Sequence, residues 1–390
     1  MNVIALYNKY SGINEIVDGF KKTNKEVLLF GSAEEFNAIY SRHVIEFVMD
    51  INFHPEVRDI CVKNGLSYML WNFNPDAAAM ISSFTAPMRG NDFIFLNNKD
   101  DYNECSRKYG NIFYLPLSTT DSFIMTPRYS GFENQILIIV KNNEREIAAE
   151  KSFQKIIAEQ KDERHLKNYR LIKSLASACL EKHKYIFDKN IFPELLQKSI
   201  DDCGMDPFDE EDRDLFLDHY IRTLSSIQKE LCINEICLTG HKVCFYGDRS
   251  YEKMLKLYKD TEFHTLEECK EVHKLYNSSK INIILTEIQN VGAIPKDVFN
   301  MLAAGAFVLS THSSEIASVF KVGNHLETFA DAKELIDKIH LYMSNDSMRQ
   351  RIASSGQAEF QNFHSMSSRL SYICMQRFNK KPAIVIDRKQ

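Results

Sequence analysis

Short apolar segments that alternate with helical stretches are the feature that most constrains the fold of this chain. In the first third, strand-like runs occur at Val3–Leu6, Val27–Phe30, Ile45–Met49, Tyr68–Trp71, Phe93–Leu96 and Ile112–Leu115. Stretches such as 13–22 and 33–41 lie between them and are predicted to be helical. The run at 27–30 is apolar throughout, as expected for a strand that is covered on both faces. Strands that alternate with helices predict βαβ units and a mainly parallel sheet.

The rest of the chain divides into a charged middle and a final third that resumes the alternation. From about 143 to 229 the sequence is charged and poor in strands, with leucines and isoleucines at helical spacing. We interpret this part as a helical insertion whose charges face solvent. Strand-like runs flank it, at Ile136–Val140, Val243–Tyr246, Ile281–Leu285, Phe307–Ser310 and His325–Phe329. The sequence therefore predicts two α/β halves around a helical insertion.

Charge and hydropathy argue against two classes of partner. The 390 residues include 48 Lys and Arg against 53 Asp and Glu, and this net charge of −5 gives no overall basic field for nucleic acid. No segment approaches the roughly 20 apolar residues that a membrane span needs. The first seven residues do not have the pattern of a signal peptide, so we expect a cytoplasmic protein.

The cysteines and the common catalytic signatures predict a protein without a resident metal or cofactor. The nine cysteines form no C-x-x-C pair, and we expect buried, reduced thiols instead of a metal centre or a disulfide framework. The sequence also contains no G-x-S-x-G, no H-E-x-x-H and no P-loop.

The most informative segment is 272–310, in which two strand-like runs flank a predicted helix. Pro295 fits the first helical position, where a missing N–H costs nothing, and Gly305 fits the position after the helix end. Such a helix begins at the carboxyl end of a parallel strand, where open α/β sheets bind ligands, and its positive dipole end suits a phosphate. Asn300 shares a face with Asp297 and is placed to bond a ribose hydroxyl. An ordinary packing helix is the alternative, and the residues alone leave it open.

An ordered series of motifs extends from this segment over most of the chain outside the insertion. It comprises Trp71 with Asn74-Pro75, Tyr114–Leu117, Tyr246–Asp248, Leu275–Asn282, Ile294-Pro295, Val298-Phe299, Leu302–Ser310, Glu334-Leu335, Arg351–Gly356, His364 and Arg369-Leu370. Taken together, these motifs resemble the CgeB-like (spore-maturation type) group of GT-B glycosyltransferases. No single motif is decisive, and the order of the series is what makes the resemblance specific.

This resemblance implies a GT-B fold, in which two Rossmann-like α/β domains face each other across a cleft. It divides the chain into an acceptor-side domain at 1–130, the start of the second domain with the helical insertion at 131–235, a nucleotide-sugar domain at 236–365, and a helix that crosses back, with a tail, at 366–390. The implied activity is metal-independent transfer of a sugar from a nucleotide-diphosphate donor to a bacterial glycan or protein acceptor, as in bacterial surface glycosylation. A non-catalytic GT-B-like binding or partner protein is the alternative.

The resemblance also assigns residues to the donor site and to the acceptor side. The donor positions are the strand and loop residues Tyr246, Gly247 and Asn277, and the helix residues Pro295, Lys296, Asp297, Val298 and Asn300; the acceptor-side positions are Asn74 and Pro75. The family usually has arginine where this chain has Asp297, and acidic residues where it has Asn300 and Asn74. An acid near a diphosphate is unfavourable unless a cation intervenes, and Lys141 or Lys296 is the candidate for that positive charge.

Three side chains are candidates for the catalytic group. Transfer with inversion needs a general base near the acceptor hydroxyl. His54 follows a predicted strand, has the pKa range for this task and has Asp50 nearby, although a simple surface position is an alternative. Transfer with retention would instead use a group near the sugar, and Glu287 lies in the corresponding loop. The sequence does not choose between the two outcomes.

Overall fold

A computed structural model describes residues 2–74, 77–127, 130–140, 210–288 and 292–376, together with the isolated positions 194, 197, 198 and 201. Between 210 and 218 it describes the backbone alone. Most of the predicted helical insertion, the predicted donor residue Lys141, the predicted acceptor-side residue Pro75 and the predicted C-terminal tail lie outside these residues.

The N-terminal half forms a six-stranded sheet in which every neighbouring pair is parallel. Its strands are β1 Asn2–Tyr7, β2 Glu26–Phe30, β3 Val44–Ile51, β4 Tyr68–Asn72, β5 Asp92–Leu96 and β6 Ile112–Tyr114. Its helices are α1 Ile13–Lys22, α2 Ala33–Tyr40, α3 Pro55–Asn64, α4 Ala77–Ser82 and α5 Lys99–Cys105. The strands lie in the order β2-β1-β3-β4-β5-β6. The predicted βαβ organisation is confirmed.

The C-terminal half forms a second all-parallel sheet of six strands. Its strands are β7 Asn134–Ile139, β8 Val243–Gly247, β9 Thr261–Thr265, β10 Ser279–Ile284, β11 Val308–Thr311 and β12 Glu327–Phe329. The helices are α6 Glu210–Leu238, α7 Glu252–Leu255, α8 Val272–Asn277, α9 Lys296–Ala303, α10 Ser314–Val319, α11 Ala332–Ser344, α12 Asp346–Glu359 and, after a π-helical turn at Phe360–His364, α13 Met366–Gln376. The strand order is β12-β11-β10-β7-β8-β9.

Each sheet is buried on both faces because successive side chains of a strand point in opposite directions. In β1, Val3 and Ala5 pack in one apolar cluster, whereas Ile4 and Leu6 pack in the cluster on the opposite face. The same alternation occurs in β7, whose Ile136 and Leu137 belong to two different clusters. This two-sided burial explains why these strands read as continuous apolar runs in the sequence.

The last helix returns to the N-terminal domain. Met366, Leu370 and Ile373 of α13 belong to the apolar cluster that also contains Phe20 of α1. A Cβ atom added at Gly19 of α1 would lie 2.7 Å from both Met366 Cγ and Leu370 Cδ1, so the two helices approach too closely for a larger residue. The packing places α13 on the N-terminal half, where the resemblance predicts it.

The chain passes between the domains at two places that contact each other. The backbone N–H of Met366 donates to the carbonyl of Thr119 at 3.2 Å, and the hydroxyl of Ser118 donates to the carbonyl of His364. The segment that enters the C-terminal domain is therefore hydrogen-bonded to the segment that leaves it.

One strand was not predicted from the sequence. β9 is the edge strand of the second sheet and reads Thr-Glu-Phe-His-Thr, with all five residues partly or fully exposed. An edge strand needs less apolar surface than a central one, so its sequence gives no apolar run to detect.

Candidate functional site

A cavity of about 490 Å³ lies between the two domains, at the carboxyl ends of both sheets. The N-terminal domain contributes residues that follow β4, β5 and β6, namely Phe73, Asn97, Asn98 and Leu117. The second domain contributes Ile139, Val140, Lys229, Ile284, Leu285, Thr286, Glu287, Ala293, Ile294, Pro295, Lys296, Asp297 and Met301. The backbone N–H of Lys99 donates to the carbonyl of Gly292 across the cleft at 2.7 Å, so the domains are in direct contact beside the cavity.

The cavity lies at the point where the strand order of the second sheet reverses. From β7 the chain moves through β8 to β9, then crosses to β10 on the other side of β7 and continues to β11 and β12. Ile139 and Val140 at the end of β7, and 284–287 at the end of β10, both line the cavity. Loops that leave two neighbouring strands in opposite directions open a crevice, which is the usual ligand site of open α/β sheets.

Helix α9 begins at the wall of this cavity. Pro295 is its N-cap, one residue earlier than the first helical position predicted for it, and Lys296 and Asp297 form its first turn. Gly305 has a φ of +69° just beyond the helix end, as predicted, and this left-handed conformation favours glycine. The positive end of the α9 dipole therefore lies at the cavity, where it favours a bound anion.

The carboxylate of Asp297 is bound within its own domain. Its Oδ1 accepts hydrogen bonds from the Tyr276 hydroxyl and from the Asn300 amide, each at 3.0 Å. Burial and the neighbouring Asp297 raise the pKa of Tyr276 well above its usual value, so this phenol remains a hydrogen-bond donor. The negative charge in the first turn of α9 is thus partly compensated by two donors.

Asn300 does not have the position that the sequence predicted for it. Its side chain is 5% exposed and is absent from the cavity lining, although Asp297, one turn earlier on the same face, is part of that lining. Its amide nitrogen is bound to Asp297, and among the residues that the structure describes its Oδ1 has no partner. The geometry assigns Asn300 a role in supporting Asp297 and does not place it against a ribose.

Two lysines line the cavity, and each forms an ion pair with a glutamate. Lys296 Nζ lies 2.9 Å from Glu15 Oε2 of α1, so this pair bridges the two domains, and both side chains are about one-third exposed. Lys229 Nζ donates to Glu287 Oε1, and these side chains are only 9% and 11% exposed. The predicted candidate Glu287 is therefore in the cavity, next to a buried positive charge.

Lys229 is a cavity residue that the sequence analysis missed. It lies on α6, at the end of the stretch whose charges were predicted to face solvent, and for this residue the prediction is wrong. The loop after β10 packs on α6, where the backbone N–H of Ile288 donates to Ser225 Oγ at 3.1 Å. This contact covers the helix beside Lys229. No local motif distinguishes Lys229 from the other charged residues of the helix, so no sequence signal was available.

None of the other predicted donor residues that the structure describes lines the cavity. Tyr246 of β8 stacks on His264 of β9, with ring centroids 4.8 Å apart, and Gly247 is the last residue of β8. Val298 is fully buried in the apolar core. Asn277 lies just before β10, at the amino end of this strand, whereas the cavity lies at its carboxyl end. The Asn277 amide donates to the carbonyls of Thr126 and Ala304. Its contacts indicate a structural role.

On the acceptor side, the predicted histidine and aspartate form a pair at the carboxyl end of β3. Asp50 is fully buried and accepts from His54 Nδ1 at 2.8 Å, from the His54 backbone N–H and from the Tyr68 hydroxyl, both at 2.9 Å. The hydrogen bond to Asp50 raises the pKa of His54. The imidazole is 29% exposed and contacts the ring of Tyr7, which lines a second cavity of about 380 Å³ in the N-terminal domain. His54 and Asp50 do not line the interdomain cavity.

Asn74, the other predicted acceptor-side residue, follows β4 next to the cavity residue Phe73. Its carbonyl accepts from the Asn72 amide at 2.7 Å. The cavity lining does not include Asn74 itself.

Among the described residues, no helix is both long enough and apolar enough to cross a membrane.

Comparison with known proteins finds a family match in the second domain. Residues 223–375 match a family model described as glycosyl transferase-like, a range that contains every cavity residue of the second domain except Ile139 and Val140. No curated protein matches the sequence significantly.

Solved structures are similar over almost the whole chain. Sucrose-phosphate synthase from Thermosynechococcus elongatus has a TM-score of 0.55 at 9% identity, over 97% of this chain and 100% of that chain. Anabaena HepE in complex with UDP and glucose has a TM-score of 0.53 at 8% identity, also over 97% of this chain and 100% of that chain. These similarities, with the two facing parallel sheets, confirm the predicted GT-B fold of two Rossmann-like domains.

Proposed function

We propose that this protein is a glycosyltransferase that binds a nucleotide-diphosphate sugar in the interdomain cavity and transfers the sugar to a glycan or protein acceptor. The principal observation is the position of the cavity. It lies at the strand-order reversal of the second sheet, against the start of α9, in a region that matches the glycosyl transferase-like model. The HepE structure, with UDP and glucose bound, has the same fold. The ordered motifs further favour the CgeB-like group.

The diphosphate of the donor is proposed to bind between the start of α9 and the two cavity lysines. The α9 N–H groups favour an anion, and the ammonium groups of Lys229 and Lys296 lie on the same wall. Each ammonium is paired with a carboxylate, so the diphosphate must compete with Glu287 and Glu15 for them. In this arrangement the lysines and the helix dipole stabilise the leaving diphosphate, and we propose that no metal takes part in that step.

The acceptor is proposed to enter from the N-terminal side of the cleft. The described lining residues there are two asparagines and two apolar side chains, which suits a neutral acceptor rich in hydroxyl groups. His54 is the proposed general base for transfer with inversion, with Asp50 orienting its imidazole. His54 lies outside the lining of the interdomain cavity. This role therefore requires that the reacting hydroxyl of the acceptor reaches His54, either directly or after a closing movement of the domains. Glu287 is the alternative group if the configuration is retained.

A non-catalytic binding protein is the second candidate function, and one observation favours it. Among the residues that the structure describes, the ionisable side chains of the cavity wall are two lysines and two acids, so this part of the wall has no net positive charge. A diphosphate therefore binds here less strongly than in a site whose cations have no acidic partners.

Calorimetric titration with UDP-, GDP-, TDP- and CMP-sugars tests the proposal. We expect saturable binding of one of these donors, strengthened by the substitution Asp297→Asn, which removes an acid beside the diphosphate. Lys256→Met, which alters an exposed ion pair outside the cavity, should leave binding unchanged. Flat traces across the panel would exclude the donor site.

A second measurement separates the two candidate functions. The protein and the bound donor are incubated with candidate acceptors, and release of the nucleotide is followed over time. Release that depends on the acceptor supports a transferase, whereas binding without any release supports the binding protein.

A further inference from the structure

Three side chains with metal-binding chemistry converge on one face of the second sheet, away from the interdomain cavity. Cys244 of β8 is directly opposite Glu262 of β9 in the parallel ladder. His264 is two residues after Glu262, and residues two apart on a strand share a face. One ligand atom from each of the three lies within 4.8 Å of the other two.

The separation of these atoms is close to what a tetrahedral metal requires. Metal–ligand bonds of about 2.0–2.3 Å to nitrogen, oxygen and sulfur place neighbouring ligand atoms roughly 3.5 Å apart. Small side-chain rotations therefore bring the thiol, the carboxylate and the imidazole to bonding distance. The backbone needs no change, because the strand pairing already sets the spacing.

The surroundings contain groups that complete such a site. Glu268 Oε2 lies 3.3 Å from His264 Nδ1, and metal-bound imidazoles are commonly oriented by a carboxylate in this way. A second thiol, Cys269, is close enough to interact electrostatically with Cys244 and is a candidate fourth ligand. The ring of Tyr246 stacks on His264 and restricts the imidazole plane.

We propose that Cys244, Glu262 and His264 form a site for a divalent cation of the zinc type. A thiolate with an imidazole and a carboxylate selects Zn²⁺ over Mg²⁺ and Ca²⁺, which prefer oxygen ligands alone. When the metal binds, the Cys244 thiol loses its proton to solvent and the sulfur bonds to the cation. Glu262 exchanges its present partner Lys242 for the metal. The ion pair that is lost is half-exposed, with an N–O distance of 2.9 Å, and contributes little stability.

The site would act on the fold and not on the transfer reaction. β9 is the edge strand, and each of its residues is partly or fully exposed, so few apolar contacts attach it to the sheet. A metal bonded to both strands fixes β9 against β8, and binding to the folded state alone stabilises that state. No residue of this site lines the interdomain cavity, so the proposal is independent of the donor site.

The test is titration of the full-length, chelator-washed protein with Zn²⁺ in competition with a chromophoric chelator. We expect one Zn²⁺ per chain with an apparent Kd of about 1 µM or tighter. Cys244→Ser and His264→Gln should each weaken it at least about tenfold. Cys105→Ser is the matched control, because this buried thiol lies in the N-terminal domain and should not affect binding. Mg²⁺ should not compete.

A spectroscopic measurement keeps the proposal testable if one variant folds poorly. Co²⁺ in the Zn²⁺ site should show a near-ultraviolet thiolate charge-transfer band that is retained in His264→Gln at high Co²⁺. In Cys244→Ser the contribution of Cys244 should be lost, so that at most the weaker band of a single Cys269 thiolate remains. His264 is partly exposed, so its substitution should leave the fold intact. Failure to bind Zn²⁺ stoichiometrically would overturn the proposal, and so would binding that is unchanged in both variants.

Discussion

The two sides of the interdomain cavity differ in charge. The wall from the second domain contains Lys229, Glu287, Lys296 and Asp297, whereas none of the N-terminal lining residues that the structure describes is ionisable. The nearest catalytic candidates of the N-terminal domain, Asp50 and His54, lie outside the lining. Under the proposed function, this difference assigns the charged part of the donor to one wall and a neutral acceptor to the other.

The ionic wall itself contains two different kinds of ion pair. Lys229 and Glu287 are buried within the second domain, where loss of one partner leaves the other charge without compensation. Lys296 and Glu15 are one-third exposed and join the two domains, so solvent screens the pair and domain movement can separate it. The first pair is expected to matter for stability and binding, and the second mainly for binding.

The largest effect is expected from Lys229→Met. This change leaves Glu287 buried beside an apolar side chain and should lower the free energy of unfolding by about 3–5 kcal/mol. It should also abolish donor binding at concentrations that saturate the unmodified protein. Urea denaturation and calorimetric titration measure the two effects. Lys256→Met, in the exposed pair with Glu252, is the control and should leave the free energy of unfolding almost unchanged. Equal losses for both variants would remove the distinction between buried and exposed pairs.

A second large effect is expected from His54→Gln, which tests whether the acceptor side supplies the base. The rate constant for transfer should fall about 100-fold or more while donor affinity stays constant. The hydrogen bond to Asp50 raises the pKa of His54 above 6.5, and a general base must be neutral. Activity should therefore increase with pH through a midpoint above 6.5, because the protonated form predominates below it. A pH–rate profile of kcat measures this. An unchanged profile in His54→Gln would assign the base elsewhere.

Smaller and opposite effects are expected for the interdomain pair. Lys296→Met should weaken donor binding roughly tenfold, about 1.4 kcal/mol, because a cation at the start of α9 is lost. Glu15→Gln should strengthen donor binding by several-fold, because it frees Lys296 for the diphosphate. Both changes should alter the free energy of unfolding by about 1 kcal/mol or less. Calorimetric titration of the two variants against the unmodified protein checks the signs. If both substitutions weakened donor binding, the intact ion pair between Lys296 and Glu15, and not a free Lys296, would be what donor binding requires.

The comparison also shows how much of the site was predictable. The start of α9 was located from Pro295, Gly305 and the flanking strands, because capping and turn preferences act within a few residues. Glu287 was found because it follows a predicted strand. Asn300 was predicted to face a ligand because spacing along a helix gives the face that residues share and not how deeply each position on that face is buried. Asn277 was assigned to the donor site from a motif, but it lies at the amino end of β10, whereas the cavity lies at the carboxyl end.

The sequence by itself determined the two parallel sheets, since buried strands need apolar residues in short runs and the connections need helices. It also determined that a helix follows β10 and begins near Pro295. Only the tertiary structure decided which charges meet, because Lys229 and Glu287, or Lys296 and Glu15, are brought together by packing between distant segments. The same reason applies to Cys244, Glu262 and His264, which strand pairing alone assembles. Local sequence patterns determine the helices and strands, whereas the burial and pairing of charged groups depend on contacts between segments that are distant in the sequence.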